Sequence, residues 1–208
     1  QERIVEALET GIRNARNVGR YIFGADAINE LNSLVANGRN VGPVTYLIDE
    51  YFAQNPGPLH SVVINKGDVL IYVPTEDEPT TTFIDELVRV VKNKNERPAA
   101  VVGIGGGITL DCAKAVSNLL SNGGVATDYQ GWDLVPGPGI YKIGVPTISG
   151  TGAEATRTCV MTNEATGLKL GMNSDFTVFD QLILDPNLSM TVPRDQYFFT
   201  GMDSYIHC

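Results

Sequence analysis

Three stretches of the 208-residue chain place chemically capable residue types at spacings that matter. In Val101–Lys114 (VVGIGGGITLDCAK) a branched apolar run meets three consecutive glycines and then helix-forming residues. Glycine lets a backbone come close to a ligand, and the free N–H groups and positive dipole end of a following helix favour a pyrophosphate. Gly106, Gly107 and Ile108 are the candidate contacts. A plain strand–helix turn, for which one glycine would do, is the alternative. Asp111 falls in the first helical turn, where it either meets the ligand or complements the dipole, and Lys114 reads as a solvated helix residue.

Two further segments complement the glycines. Asp49 ends the branched run Val44–Ile48, and an acidic strand end accepts hydrogen bonds from ribose hydroxyls in dinucleotide sites, although ordinary turn chemistry uses the same residue. Val145–Glu154 (VPTISGTGAE) adds the hydroxyls of Thr147, Ser149 and Thr151 on flexible backbone, or else is an ordinary connection whose side chains cap a helix. At the other end of the chain, Asp203 and His207 are spaced i, i+4, which on a helix projects carboxylate and imidazole from one face, close enough to share a divalent cation. Spacing alone favours a hydrogen-bonded or surface pair over a metal. His60, the only other histidine, follows Pro58 in a loop without a partner ligand.

The elements that must position these residues alternate. Tyr21–Phe23 reads as a strand and Ile28, Leu31, Leu34 and Val35 as a helical stripe. Val44–Ile48 is a strand, and Ser61–Ile64 and Val69–Val73 are placed to pair across the polar turn 65–68. Phe83, Leu87, Val90 and Val91 mark an amphipathic helix, Ala99–Ile104 a buried strand, and a helix is predicted from about Leu110. Gly123–Gly139 reads as a long loop, followed by strands at Tyr141–Val145, Cys159–Thr162, Leu168–Leu170 and Leu182–Leu184, and a helix over Gln196–Cys208. Strand and helix in alternation predict an α/β, Rossmann-like doubly wound domain.

Composition narrows the function. Fifteen basic against 24 acidic residues, net −9, oppose binding to nucleic acid or an anionic membrane through bulk charge. Three cysteines without paired metal spacing predict no disulfide framework and a reducing, cytoplasmic setting. The charged start QERIVEALETGIRNAR is not signal-like, and no apolar run is long enough to span a bilayer.

The motifs occur together and in order: Asp49 at a strand end, GGG-x-x-x-D-x-x-K at Gly105–Lys114, PT-x-x-GTG-x-E at Pro146–Glu154, Lys169, DP at Asp185–Pro186 and GMD-x-x-x-H at Gly201–His207. This set resembles the iron-containing (group III) alcohol dehydrogenases. The resemblance implies a nucleotide-binding α/β domain over 1–192 and the start of an all-helical metal-binding domain at 193–208, the rest of which this chain lacks. It also implies NAD or NADP as cofactor, held by Asp49, Gly106, Gly107, Ile108, Asp111, Thr147, Thr151 and Lys169. Asp203 and His207 would be catalytic as two of four ligands to iron or zinc, and a homodimer is implied. Ile108 stands where the family usually has serine, which keeps a backbone N–H but loses a hydroxyl near the phosphates. The segments 4–24, 162–188 and 201–208 are most similar to a sugar-acid branch, the 3-deoxy-D-manno-octulosonate 8-oxidases of lipopolysaccharide biosynthesis. Those enzymes oxidise a terminal primary hydroxyl to an aldehyde that a partner aminotransferase aminates. A dehydrogenase of a simple alcohol or diol and a non-catalytic nucleotide-binding module are the alternatives. Dehydroquinate-synthase-like chemistry is a further one, against which GMD-x-x-x-H and GTG-x-E speak. For an anionic sugar acid, Arg157 is the candidate carboxylate clamp, with a surface or strand-end charge as the favoured alternative.

Overall fold

The computed structural model describes residues 17–94 and 97–207, the last by its backbone alone. The charged amino-terminal stretch, most of the 4–24 resemblance and Cys208 therefore lie outside the described residues.

Six strands form one parallel sheet: β1 (Arg20–Phe23), β2 (Val44–Asp49), β3 (Val69–Val73), β4 (Ala100–Gly105), β6 (Lys142–Pro146) and β9 (Gln181–Leu184). Their spatial order is β1-β9-β6-β4-β2-β3. β2 and β4 are adjacent with Val44 beside Ala100 and Ile48 beside Ile104. Successive side chains in them face opposite ways, so Leu47 and Val101 join one core while Tyr46, Ile48, Val102 and Ile104 join another. The first core is covered by α3 (Thr81–Lys92) and α4 (Gly107–Asn122), the second by α1 (Leu31–Ala36) with its preceding 3-10 turn and by α2 (Tyr51–Gln54). Burial on both faces is what continuous branched runs require. The strand order turns back on itself at β2: β3 lies on one side of it and β4 on the other, which leaves a crevice beyond the carboxyl ends of β2 and β4.

A second sheet holds β5 (Gly131–Trp132), β8 (Leu168–Asn173) and β7 (Thr158–Asn163). β7 and β8 are an antiparallel hairpin, closed by the Asn163 side chain accepting from the backbone N–H of Ala165 and Thr166. The final helix is α5 (Arg194–His207). Among the described residues no helix is long and apolar enough to cross a membrane. Cys112 and Cys159 are buried free thiols, and burial pushes the Cys159 thiol well up.

Several expectations need correction. Residues 61–64 form no strand, and β3 pairs in parallel with β2 instead of with them. Asn32 ties both Ser61 and Val63 through its side-chain amide. Asp68 meanwhile accepts from the N–H of Asn65 and of Val44 and binds Arg39 at 2.8 Å, so the 65–68 turn delivers β3 alongside β2 and not back onto 61–64. The buried face of α3 is Ile84, Leu87, Val88 and Val91, with Val90 exposed. The Gly123–Gly139 segment contains a 3-10 turn and β5, and α4 begins at Gly107, three residues before the predicted Leu110.

Candidate active site

A cleft of about 850 Å³ lies at the crevice. Of the residues singled out in the sequence, Asp49, Gly106, Gly107, Ile108, Asp111, Thr147, Thr151, Lys169 and Asp203 all line it. For His207 only the backbone is described, and it continues the same helix one turn beyond Asp203.

Each is placed by its element. Asp49 closes β2, and one carboxylate oxygen accepts from the Tyr51 N–H at 3.0 Å and the Thr75 hydroxyl at 3.4 Å. Beside it, Gly105 ends β4. A Cβ there would stand 2.7 Å from Thr109 Cβ and 2.9 Å from Asp49 Cβ, so only glycine lets strand, helix and Asp49 meet. Gly106 is the N-cap of α4 and offers no side chain to its first turn, which leaves the helix's amino-terminal N–H groups facing the cleft without a side-chain cap. The Thr147 N–H donates to the Gly105 carbonyl at 3.0 Å, fastening the 145–154 loop to the same corner.

Below this rim Asp111 is half-buried and Lys114 buried. Asp111 accepts from the Val160 N–H at 2.9 Å, and burial pushes its carboxyl up to about 6, against the opposing pull of Lys114. Lys114 is fully buried, which overturns its reading as a solvated residue. Its Nζ donates to the carbonyls of Thr156 (3.0 Å) and Thr158 (2.9 Å) and to the Thr156 hydroxyl (3.2 Å), and lies 5.5 Å from the centre of the Phe179 ring. Burial lowers its pKa. Together Asp111 and Lys114 hold the start of β7 against α4.

The Asp111 carboxyl carries a pH signature. With its folded pKa raised, the folded chain keeps a proton that the unfolded chain has already released between pH 3.8 and about 6. Stability contributed by this group is therefore present at the acid end of that window and lost as pH rises through it. Urea unfolding of the full-length protein and of Asp111→Asn across this range should show the parent losing stability relative to the variant up to about pH 6 and running parallel above. Parallel curves throughout would contradict it.

Other sequence readings fare differently. Lys169 lines the cleft mouth with its ammonium ion-paired to Glu78, another lining residue. Arg157 does not line the cleft: its guanidinium pairs with Asp133 and Asp175 and lies over Trp132, so the clamp reading falls on position. Asp185 caps the turn after β9 and accepts from the Ile28 N–H, a structural task. His60 is exposed and outside the cleft, with Nδ1 2.9 Å from the Gly57 carbonyl. Sequence reasoning missed Thr75, Gln196 and Thr200, which also line the cleft. Gln196, Thr200 and Asp203 recur at i, i+4, i+7, a stripe that could have been read back from Asp203.

The family pattern of iron-containing alcohol dehydrogenase matches residues 19–186. The chain is 41% identical over 194 residues to a sulfoacetaldehyde reductase of Bilophila wadsworthia (strain 3_1_6), covering 91% of this chain and 49% of that protein. It is 35% identical over 191 residues to an NAD-dependent methanol dehydrogenase of Bacillus methanolicus, covering 89% and 49%. The fold matches an alcohol dehydrogenase from Oenococcus oeni with a TM-score of 0.81 at 24% identity, over 93% of this chain and 51% of that one. The chain thus spans about half the length of the relatives it matches. The motif order, the crevice at the turning point of the sheet and these matches agree, and the chain belongs to the iron-containing alcohol dehydrogenase family.

Proposed function

We propose that the full-length protein interconverts a primary alcohol and its aldehyde, using a nicotinamide dinucleotide held between Gly106–Ile108 and the 147–151 loop. A divalent metal, iron or zinc, would be held by Asp203 and His207 with further ligands from outside this chain. The observation that carries the reading is that one cleft joins an uncapped helix N-terminus, an acidic strand end and the Asp203 stripe of α5.

The residues present fit both groups. The α4 N–H groups lack a side-chain cap and suit a pyrophosphate, and Ile108 contributes a backbone N–H alone. Asp49 would accept from the ribose hydroxyls and repel a 2′-phosphate, which favours NAD over NADP. A carboxylate with an imidazole suits iron or zinc, and two side chains fill half of a four-coordinate site. When bound, the metal would supply Lewis-acid polarisation of the substrate oxygen, and the nicotinamide would supply a place for the hydride of the carbinol carbon. The protein's part is to aim: α4 and the 147–151 loop fix the cofactor, and α5 fixes the oxygen of the substrate.

Small alcohols or aldehydes are the substrates named for relatives, among them sulfoacetaldehyde, methanol and 1-propanol. The finer reading is the terminal 8-hydroxyl of 3-deoxy-D-manno-octulosonate, with an aminotransferase consuming the aldehyde. Its support is the resemblance of 162–188 and 201–208. With Arg157 engaged elsewhere, Lys169 is the one cation lining the cleft among the described residues, and it would exchange Glu78 for the substrate carboxylate.

The test uses the full-length protein with NAD on the octulosonate beside methanol and 1-propanol, with iron and zinc measured in the parent and in Asp203→Ala. We expect metal content to fall at least tenfold in the variant, since loss of a direct ligand should cost no less than the roughly tenfold or more that follows loss of an outer-shell partner. Unchanged metal would move the centre elsewhere. Turnover of the simple alcohols alone would remove the sugar-acid reading and leave the dehydrogenase standing.

A further inference from the structure

The 145–154 loop and α5, which both contribute residues to the cleft, meet at Gly150. Gly150 has a φ of +125°, and a Cβ built on it would lie 2.2 Å from the carbonyl oxygen of Thr200, so the two backbones are in direct contact. The Ser204 hydroxyl donates to the Gly150 carbonyl at 3.0 Å. The Thr200 hydroxyl turns back into its own helix, donating to the Gln196 carbonyl at 3.1 Å. Thr200 and Ser204, four apart, thus close on one residue from one face of α5. On the loop side the next residue is Thr151, whose side chain lies 3.4 Å from where a Cβ of Gly107 would be. On the helix side the neighbour of Ser204 is Asp203, in the cleft. The loop is fastened to the α4 corner by the Thr147 N–H on the Gly105 carbonyl and faces Gly107 through Thr151 across the space a Cβ would fill, and through Gly150 it is joined to Ser204, the neighbour of Asp203.

We propose that Ser204 is a positioning residue: its hydrogen bond to Gly150 sets α5, and with it Asp203 and His207, at a fixed separation from the cradle at Gly106–Ile108. The inference rests on the dehydrogenase reading above. Transfer between a substrate held by α5 and a cofactor held by α4 depends on the spacing of the two, and a misplacement of an ångström costs rate even when each partner binds normally. Ser204 touches neither reacting group and acts only through that spacing.

Ser204→Ala in the full-length protein should lower kcat about three- to tenfold, the worth of one net hydrogen bond. The Kd for NADH, read by its dihydronicotinamide fluorescence, and the metal content should stay at parent values. Alanine is the better helix former, so α5 is not put at risk. The isotope effect on kcat with substrate deuterated at the carbinol carbon should rise, because hydride transfer becomes more nearly rate-limiting. Ser204→Thr, which keeps the hydroxyl, should restore both. A lower Tm with parent kcat and parent isotope effect would make Ser204 merely structural and overturn the proposal, as would threonine failing to rescue. If the parent itself bound neither NAD nor metal, the dehydrogenase reading would fail and take this inference with it. If the parent bound both and Ser204→Ala turned over normally, this inference alone would fail.

Discussion

Replacing Gly107 with valine should weaken NAD binding to the full-length protein about a hundredfold, the worth of one or two charge-assisted hydrogen bonds, and leave the fold intact. A Cβ at Gly107 would stand 3.4 Å from Thr151 Cβ and Oγ1, an ordinary contact, so neither helix nor loop has to move to admit it. The two further methyls fill the gap between the α4 N-terminus and the 147–151 loop, where the pyrophosphate must reach the uncapped N–H groups. The neighbouring glycine makes the contrast. At Gly105 the first added carbon already meets Thr109 and Asp49 below 3.0 Å, so valine there would part β4 from α4, and its loss of binding would say nothing about the cradle. Fluorescence titration with the reduced dinucleotide, NADH, beside a thermal melt of Gly107→Val, decides the matter. Equal affinity in parent and variant would place the dinucleotide elsewhere.

How much of this was legible depends on what each residue's role rests on. β2 and β4 could be read because strands buried on both faces are unbroken branched runs, and VTYLI and AAVVGI are such runs. That Asp49 sits against Gly105 could not, since it follows from the register of two strands more than fifty residues apart. Sheet membership was equally hidden. Cys159–Thr162 and Leu168–Leu170 read as strands, and NEATG between them is a local turn, but nothing local tells that this pair leaves the main sheet and is joined by Gly131–Trp132. Arg157 shows the limit for charge: its position after the GTG-x-E loop suggested an anion clamp, whereas its partners Asp133 and Asp175 come from segments on either side in sequence. The Asp203 stripe lay within reach, because helical spacing alone links it to Gln196 and Thr200.

Lys114 was the clearest misreading, and it carries the second large effect. Asp111, Lys114 and Asn118 recur at helical spacing as a solvated stripe would, yet from Thr109 to Leu119 nearly every position of α4 is buried, because residues 156–160 and Thr177 bind over that side. Lys114→Met keeps the length and removes the donors, so cavity formation is small. The variant should be less stable by about 2–4 kcal/mol, because the carbonyls of Thr156 and Thr158 lose their shared partner. An opposing term exists, since burial already penalises the charged ammonium and methionine relieves that cost. Three hydrogen bonds lost together outweigh it. Asp111 gives an independent readout: Lys114 is the largest of the influences that lower its carboxyl from the value burial would set, so the variant's Asp111 should titrate above the parent's value of about 6. In urea unfolding against pH, the stability lost through Asp111 should then continue falling beyond about pH 6 in Lys114→Met, and Asp111→Asn should flatten it. NAD affinity should drop as well, because Thr156, Thr158 and Val160 line the cleft and depend on this anchor for their place. A Lys114→Met protein as stable as the parent, with its pH window unmoved, would mean that the buried ammonium holds nothing in place.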